Sequence, residues 1–274
     1  MDDSLASLLS ALEHQSPDEI PVARIALLLG ARRLPPCDLT PYLDRLEALG
    51  PRVRVRRAAH ATEDDLIADH AALCYVLVTE DGYHGDTETY HDLQNANLVC
   101  VMDRRCGLPI TLGLLYYHAA RAAGMAVEGV NFPGHFLLRL GAGSHTCIID
   151  PFHQGRVMAA PDLRDLAKKI HGPQAELSAS YYQTLSPRDM LIRLENNVKR
   201  RQIEMGDDHA ALRTLETMRQ IDPREPRVWL DAGVLYARIG QIGLARENLG
   251  AYIAHFPAGH INRREAEALL RTLE

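Results

Sequence analysis

The chain has 274 residues, of which 46% are hydrophobic and 24% are charged, so it can form one large or two small domains, and wholesale disorder is excluded. The net charge of −6 argues against a general nucleic-acid binder. No apolar run reaches the length of a membrane-spanning helix, and the first residues, MDDSLASLL, have neither a basic start nor an apolar export core. We therefore expect no nucleic-acid partner, no membrane span and no export.

The cysteines indicate a reducing compartment. Their number is odd and no CxxC pair is present, so we expect neither a disulfide framework nor a structural zinc site. The five are Cys37, Cys74, Cys100, Cys106 and Cys147. The sequence therefore predicts a cytoplasmic protein with reduced thiols.

The first hundred residues are predicted to be helical. Leucines recur at helical spacing near the start, and the sequence SPDE at 16–19 is typical of a helix N-terminus. Gly50 is expected to end the third helix. The predicted helices cover 4–14, a segment containing 25–29, 40–50 and 61–78, followed by a Gly- and Asp-rich loop at 79–89.

The middle of the chain combines one apolar helix with short strands. Pro109 in the first turn and Gly124 at the end predict a helix over 109–123. The predicted strands are 126–132, 135–140, 146–149 and 155–158. A central helix, an antiparallel meander and flanking helices make the predicted fold class α+β.

The C-terminal quarter contains an internal repeat. Four residues recur 34 positions later, at the period of the tetratricopeptide repeat (TPR). The pairs are Gly206 and Gly240, Ala211 and Ala245, Leu215 and Leu249, and Pro223 and Pro257. The predicted helices are 188–205, 208–221, 225–239, 242–255 and 262–273. We predict a core domain over 1–185 and a TPR domain over 186–274, which offers a face for a protein or peptide partner.

Three residues of the middle segment could form a catalytic triad. Cys106 precedes a helix whose dipole would stabilise a thiolate, His135 opens a predicted strand and could take the thiol proton, and Asp150 closes the next strand and could orient the imidazole. This order of residues is that of the papain-like transglutaminase core.

Three longer motifs make that likeness specific. They are RRCGLPI at 104–110, PGHFL at 133–137 and IDPF at 149–152. With the TPR tail, they resemble the bacterial SirB-type family of transglutaminase-like, TPR-containing proteins over nearly the whole chain. The resemblance implies N-terminal helices, a transglutaminase-like core with a small sheet and a TPR tail; it also implies a regulatory role or an acyl-transfer or protease ancestry.

The chain departs from active transglutaminase-like enzymes at the nucleophile. The position that those enzymes give to cysteine is occupied here by Pro109, with Cys106 three residues before it and Thr111 two residues after it. Cys106 or Thr111 could act as the nucleophile, or the core could have kept His135 and Asp150 and lost the reaction. A bond between His135 and Asp150 could also serve only to tie two strands together.

No metal or cofactor site is expected. Five further histidines of the first two thirds lack HxxxH or HExxH spacing, and phosphate-binding, dinucleotide-binding and GxSxG motifs are absent. The histidines considered were His84, His91, His118, His145 and His153.

Two functions from different classes follow. The favoured one is a regulatory or protein-interaction protein with a non-catalytic core and a partner-binding TPR face. The alternative is a cysteine-dependent amide hydrolase or acyl transferase, in which Cys106 attacks the carbonyl, His135 moves the proton and Asp150 orients His135.

Overall fold

The structure is a computed structural model that describes residues 2–12, 14–59, 64–257, 259 and 262–273. The chain forms two compact units, 1–194 and 195–274. The domain boundary between residues 185 and 186 stays a prediction. None of the helices described in the structure has both the length and the apolar character needed to cross a bilayer.

The described residues form twelve α-helices and seven strands. The helices are α1 (Asp2–Ala11), α2 (Val22–Ala31), α3 (Thr40–Ala59), α4 (Asp65–Cys74), α5 (Leu98–Arg104), α6 (Pro109–Ala122), α7 (Ala160–His171), α8 (Pro187–Glu204), α9 (Asp208–Ile221), α10 (Pro226–Arg238), α11 (Ile242–His255) and α12 (Arg263–Thr272). The strands are β1 (His84–Gly85), β2 (Cys106–Gly107), β3 (Val127–Val130), β4 (Leu137–Ala142), β5 (His145–Asp150), β6 (Arg156–Val157) and β7 (Thr184–Leu185).

Helix α6 is the centre of the first unit. It is buried continuously from Pro109 to Tyr116, as expected for an apolar helix surrounded by other elements. At Gly113, a β-carbon would lie 2.3 Å from Cδ1 of Phe136, so only glycine lets the segment before β4 approach the helix this closely. This close packing holds the residues around His135 against α6.

The main sheet has five strands in the order β6-β5-β4-β3-β7, and every neighbouring pair is antiparallel. Leu138 of β4 lies opposite Ile149 of β5, and both are fully buried. The small antiparallel sheet and the α+β class are confirmed. The sequence did not predict the parallel pair of β1 and β2, which sets His84 opposite Cys106.

The prediction that Gly50 ends a helix was wrong, because α3 continues through Pro51 to Ala59. A β-carbon at Gly50 would lie 2.5 Å from Cβ and 2.8 Å from the carbonyl oxygen of Ala122. Gly50 therefore marks the point where α3 crosses α6, and its role is close packing.

Two further predicted elements differ in extent. The helix predicted over 61–78 begins in residues 60–63, which lie outside the described residues; α4 covers Asp65–Cys74 and a π-helical turn follows over Tyr75–Glu80. His135 does not open a strand, because Gly134 has a φ of +67° and a tight turn delays the start of β4 until Leu137.

The second unit has the predicted helical hairpins, and α9 and α11 have the predicted bounds to the residue. Gly206 and Gly240 have φ values of +79° and +76° in the turns between paired helices, whereas Ala211 and Ala245 are fully buried where helices meet. The repeated glycines therefore form the turns, and the repeated alanines provide the close packing between helices. Close helix approach also occurs at Gly233, where a β-carbon would lie 2.6 Å from Cγ of Leu249.

We predict that Gly233→Ala makes the full chain less stable than Gly250→Ala by about 1–3 kcal/mol, because only the first substitution overpacks the contact between α10 and α11. A β-carbon at Gly250, in α11, meets nothing within 4 Å, so that variant should equal the parent or gain up to about 1 kcal/mol from helix propensity. Urea unfolding of the parent and both variants measures the difference. Equal stability of the two variants would contradict the close approach.

Candidate functional site

The site is built around the carboxylate of Asp150, the last residue of β5, which is fully buried. Its Oδ1 accepts hydrogen bonds from Nε2 of His135 at 2.9 Å and from the backbone N–H of Phe152 at 3.0 Å. Its Oδ2 accepts a bond from Nδ1 of His153 at 2.7 Å. Burial alone would raise the pKa of the Asp150 carboxyl, but His135 and then His153 outweigh burial and lower it. The structure thus brings together two of the predicted site residues, His135 and Asp150.

His135 is placed by the turn between β3 and β4. A β-carbon at Gly134 would lie 2.8 Å from Cγ2 of Ile170, and a guanidinium nitrogen of Arg193 donates to the carbonyl oxygens of Phe132 and His135. The His135 side chain is only 10% exposed, and its bond to Asp150 is the one hydrogen bond it makes within the described part of the chain. Because Nε2 is engaged, Nδ1 is the ring nitrogen left for a ligand or a second partner.

His153 belongs to the site although the sequence did not place it there. The turn Pro151–His153 follows Asp150 directly and returns the His153 side chain to the carboxylate three residues earlier. Its ring stacks on that of His135 with a centroid separation of 6.1 Å, while the Phe152 ring meets both imidazoles edge to face. The sequence DPFH could have indicated this contact, because a turn that begins at proline brings residues three apart in sequence close together.

Cys106 lies in β2 and makes no hydrogen bond to His135 among the described residues. Helix α6 begins at Pro109 with Leu108 as its N-cap, so the thiol lies outside the helical turn where the dipole acts. Burial raises the pKa of the Cys106 thiol, and Arg104 opposes this only in part. These surroundings disfavour a thiolate.

Thr111, the other candidate nucleophile, is engaged by backbone. It is fully buried, and its Oγ1 lies 2.8 Å from the carbonyl oxygen of Asn95 and 3.0 Å from that of Leu108, to which it can donate. The hydroxyl has only one proton, and that proton is used in a hydrogen bond to a backbone carbonyl. This arrangement disfavours Thr111 as a nucleophile.

The RRCGLPI motif contributes Arg104, which fixes the loop between β1 and α5 beside the site. Arg104 donates to Oδ2 of Asp86 at 3.0 Å and to Oδ1 of Asn95 at 2.8 Å, and Asn95 donates to the carbonyl oxygen of Thr89 at 2.7 Å. Burial would raise the pKa of the Asp86 carboxyl, but the hydrogen bonds from Thr89, Asn95 and Arg104 hold it far below its usual range. The locked loop brings the Tyr90 ring edge to face with Phe152, with centroids 5.8 Å apart.

The comparisons with known proteins agree with this architecture. Residues 40–196 match the family profile of the transglutaminase-like superfamily, and residues 198–274 match that of the tetratricopeptide repeat. A UPF0162 protein of Xylella fastidiosa (strain 9a5c) is 28% identical over 260 residues, which cover 93% of this chain and 91% of the relative. The UPF0162 protein PA3419 of Pseudomonas aeruginosa is 32% identical over 199 residues, which cover 72% of this chain and 71% of the relative.

A shorter similarity joins the chain to a eukaryotic protein. Human F-box only protein 21 is 40% identical over 81 residues, which are 30% of this chain and 13% of that protein. No solved structure matches the chain.

We predict that Asp150→Asn destabilises the protein near neutral pH by about 1–3 kcal/mol, because an amide cannot accept all three hydrogen bonds. The deficit should shrink as the pH falls from about 5 to about 3. The pKa of Asp150 is lower in the folded than in the unfolded protein, where it is about 3.9, so the ionised carboxylate stabilises the fold at pH values above the unfolded pKa. That stability is lost as the pH falls through the pKa of the folded state.

Urea unfolding at several pH values between these limits tests the prediction. Asp165→Asn, an exposed substitution on α7, is the control and should stay within about 0.5 kcal/mol of the parent throughout. A deficit in Asp150→Asn that does not change with pH would show that the charge of Asp150 contributes nothing.

Proposed function

The chain belongs to the UPF0162 family, the SirB-type family that its motifs resemble, and we propose that it is a cytoplasmic regulatory protein with a non-catalytic core. In this proposal, the TPR helices bind a protein or peptide partner, and the transglutaminase-like core performs no amide chemistry. The TPR match itself indicates protein–protein interaction.

The hydrogen bonding of His135 carries the non-catalytic part of the proposal. A cysteine-dependent acyl transfer needs a thiol within hydrogen-bond reach of its base. The base candidate His135 bonds to Asp150 and, among the described residues, to no thiol, while Cys106 lies in β2 with a raised pKa. Pro109, at the position expected for the nucleophile, has no nucleophilic atom.

Exposed apolar side chains on the TPR helices support partner binding. Val234 on α10 and Ile242 and Leu244 on α11 are 39–41% exposed. Apolar side chains at the surface of a repeat array are the groups that a partner helix or peptide would cover.

The partner-binding half is tested with Val234→Lys. We expect the full-length parent to capture at least one protein from a lysate of a bacterium carrying a UPF0162 protein, such as Pseudomonas aeruginosa, and Val234→Lys to capture it at least about tenfold less well. Val55→Lys is the matched control, because Val55 is 70% exposed on α3 of the other unit and that variant should capture like the parent. The same captured proteins at the same levels in all three samples would refute the TPR face as the binding surface.

One observation favours the alternative, an amide hydrolase or acyl transferase using Cys106, His135 and Asp150. The bond between His135 Nε2 and Asp150 leaves Nδ1 available for a thiol, as a Cys–His–Asp arrangement requires. This candidate needs a hydrogen bond between Cys106 and His135 and a thiol that loses its proton more readily than burial allows.

Alkylation of Cys106 decides between the two. We expect Cys106 to react with iodoacetamide only as the pH rises above the ordinary thiol value of about 8.5, because burial raises its pKa, and His135→Ala should leave this profile unchanged. Mass spectrometry reads each cysteine separately, with Cys147, whose pKa burial also raises, as internal control. Rapid reaction of Cys106 below about pH 7 that disappears in His135→Ala would favour the enzyme.

A further inference from the structure

The imidazoles and the carboxylate of the site form a convergent set of metal-ligand atoms. One ligand atom from each of His135, Asp150 and His153 lies within 4.8 Å of the others. Asp150 is fully buried, the His135 side chain is 10% exposed and that of His153 is 52% exposed. The set is therefore anchored on one side and open to solvent on the other.

The chemistry of the three donors selects a class of ion. Two imidazole nitrogens and one carboxylate suit zinc, which with three protein ligands keeps an open position, and they also suit non-haem Fe(II). Calcium and magnesium prefer shells made of oxygen, so two imidazoles disfavour both.

The backbone allows the small adjustment that an ion requires. Donors around a tetrahedral ion at about 2.0–2.2 Å are about 3.4 Å apart, whereas Asp150 now lies 2.9 Å from His135 and 2.7 Å from His153. The separations of His135 from Oδ1 and of His153 from Oδ2 must each lengthen by under about 1 Å, and the two imidazole ligand atoms, which lie within 4.8 Å of each other, must reach the same spacing. Each imidazole must also carry its proton on the other ring nitrogen. The His153 side chain is 52% exposed at the end of a turn whose other residues, Pro151 and Phe152, are buried, so the imidazole can adjust without moving the strands.

We propose that His135, Asp150 and His153 bind one divalent first-row transition-metal ion, with an open coordination position on the side of His153. The ion would replace the two N–H···O bonds to Asp150 with metal bonds. It would clasp the PGH turn before β4 to the DPFH turn after β5. This metal site does not depend on partner binding by the TPR helices. It gives the core a bound ion, which the proposed function does not include.

The test is calorimetric titration of metal-free, full-length protein with Zn²⁺ in a Cys74→Ser background. Cys74 Sγ lies 3.3 Å from Nε2 of His70, so this background removes a competing thiol–imidazole pair. We expect one ion per chain, bound at least about tenfold more weakly after His153→Ala. His145→Ala is the matched control, because His145 Nε2 also contacts a carboxylate, Oδ1 of Asp64 at 2.9 Å, but belongs to no three-ligand group among the described residues. That control should bind like the background protein.

Cobalt substitution separates ligation from a merely structural role of His153. In the same background, His153→Cys should bind Co²⁺ and add a sulfur-to-cobalt charge-transfer band, because it returns a ligand atom to the same place. Anaerobic Fe²⁺ and Zn²⁺ titrations compare the two ions. The proposal is overturned if His153→Ala binds Zn²⁺ as the background protein does, if no ion binds with a Kd below about 1 mM, or if His153→Cys gives no such band.

Discussion

The buried negative charge of Asp150 is the constraint on which the site depends. An ionised carboxylate removed from water costs many kcal/mol unless hydrogen-bond donors surround it. Its donors come from the turn before β4, from the backbone after β5 and from His153. Satisfying one side chain therefore fixes two turns at the same end of the sheet, and these turns carry all the imidazoles of the site.

A second buried carboxylate, Asp86, does the same for the neighbouring loop. Arg104 pairs with it, and Thr89 donates to it through backbone and side chain. The loop held in this way presents Tyr90 to Phe152, which in turn contacts His135. The three motifs that resemble the SirB-type family thus meet in space: RRCGLPI stabilises one buried charge, and PGHFL and IDPF stabilise the other.

The parts of the fold set by local sequence could be predicted, and those set by tertiary contacts could not. Helices α9 and α11 follow from amphipathic spacing and turn residues, which act within one helical hairpin. Glycine is typical of helix ends, so the sequence predicted one at Gly50. Its contact with Ala122, far along the chain, instead makes Gly50 the point where α3 crosses α6. The pairing of β1 with β2 is too short to leave an alternating pattern.

The site itself divides in the same way. The pairing of His135 with Asp150 joins two turns at the ends of adjacent strands, and the resemblance of their motifs to a known family, more than residue order, made it predictable. His153 was set aside because metal-ligand spacing was sought at helical intervals, whereas this ligand returns through a three-residue turn. Whether Cys106 or Thr111 can act as a nucleophile depends on where β2 and α6 begin, which the sequence did not show. Cys106 belongs to strand β2, and the Thr111 hydroxyl donates to a backbone carbonyl. A histidine–carboxylate pair that bonds to no thiol among the described residues keeps its geometry only if its own bonds stabilise it. The three donors to Asp150 supply that stability whether or not an ion joins them.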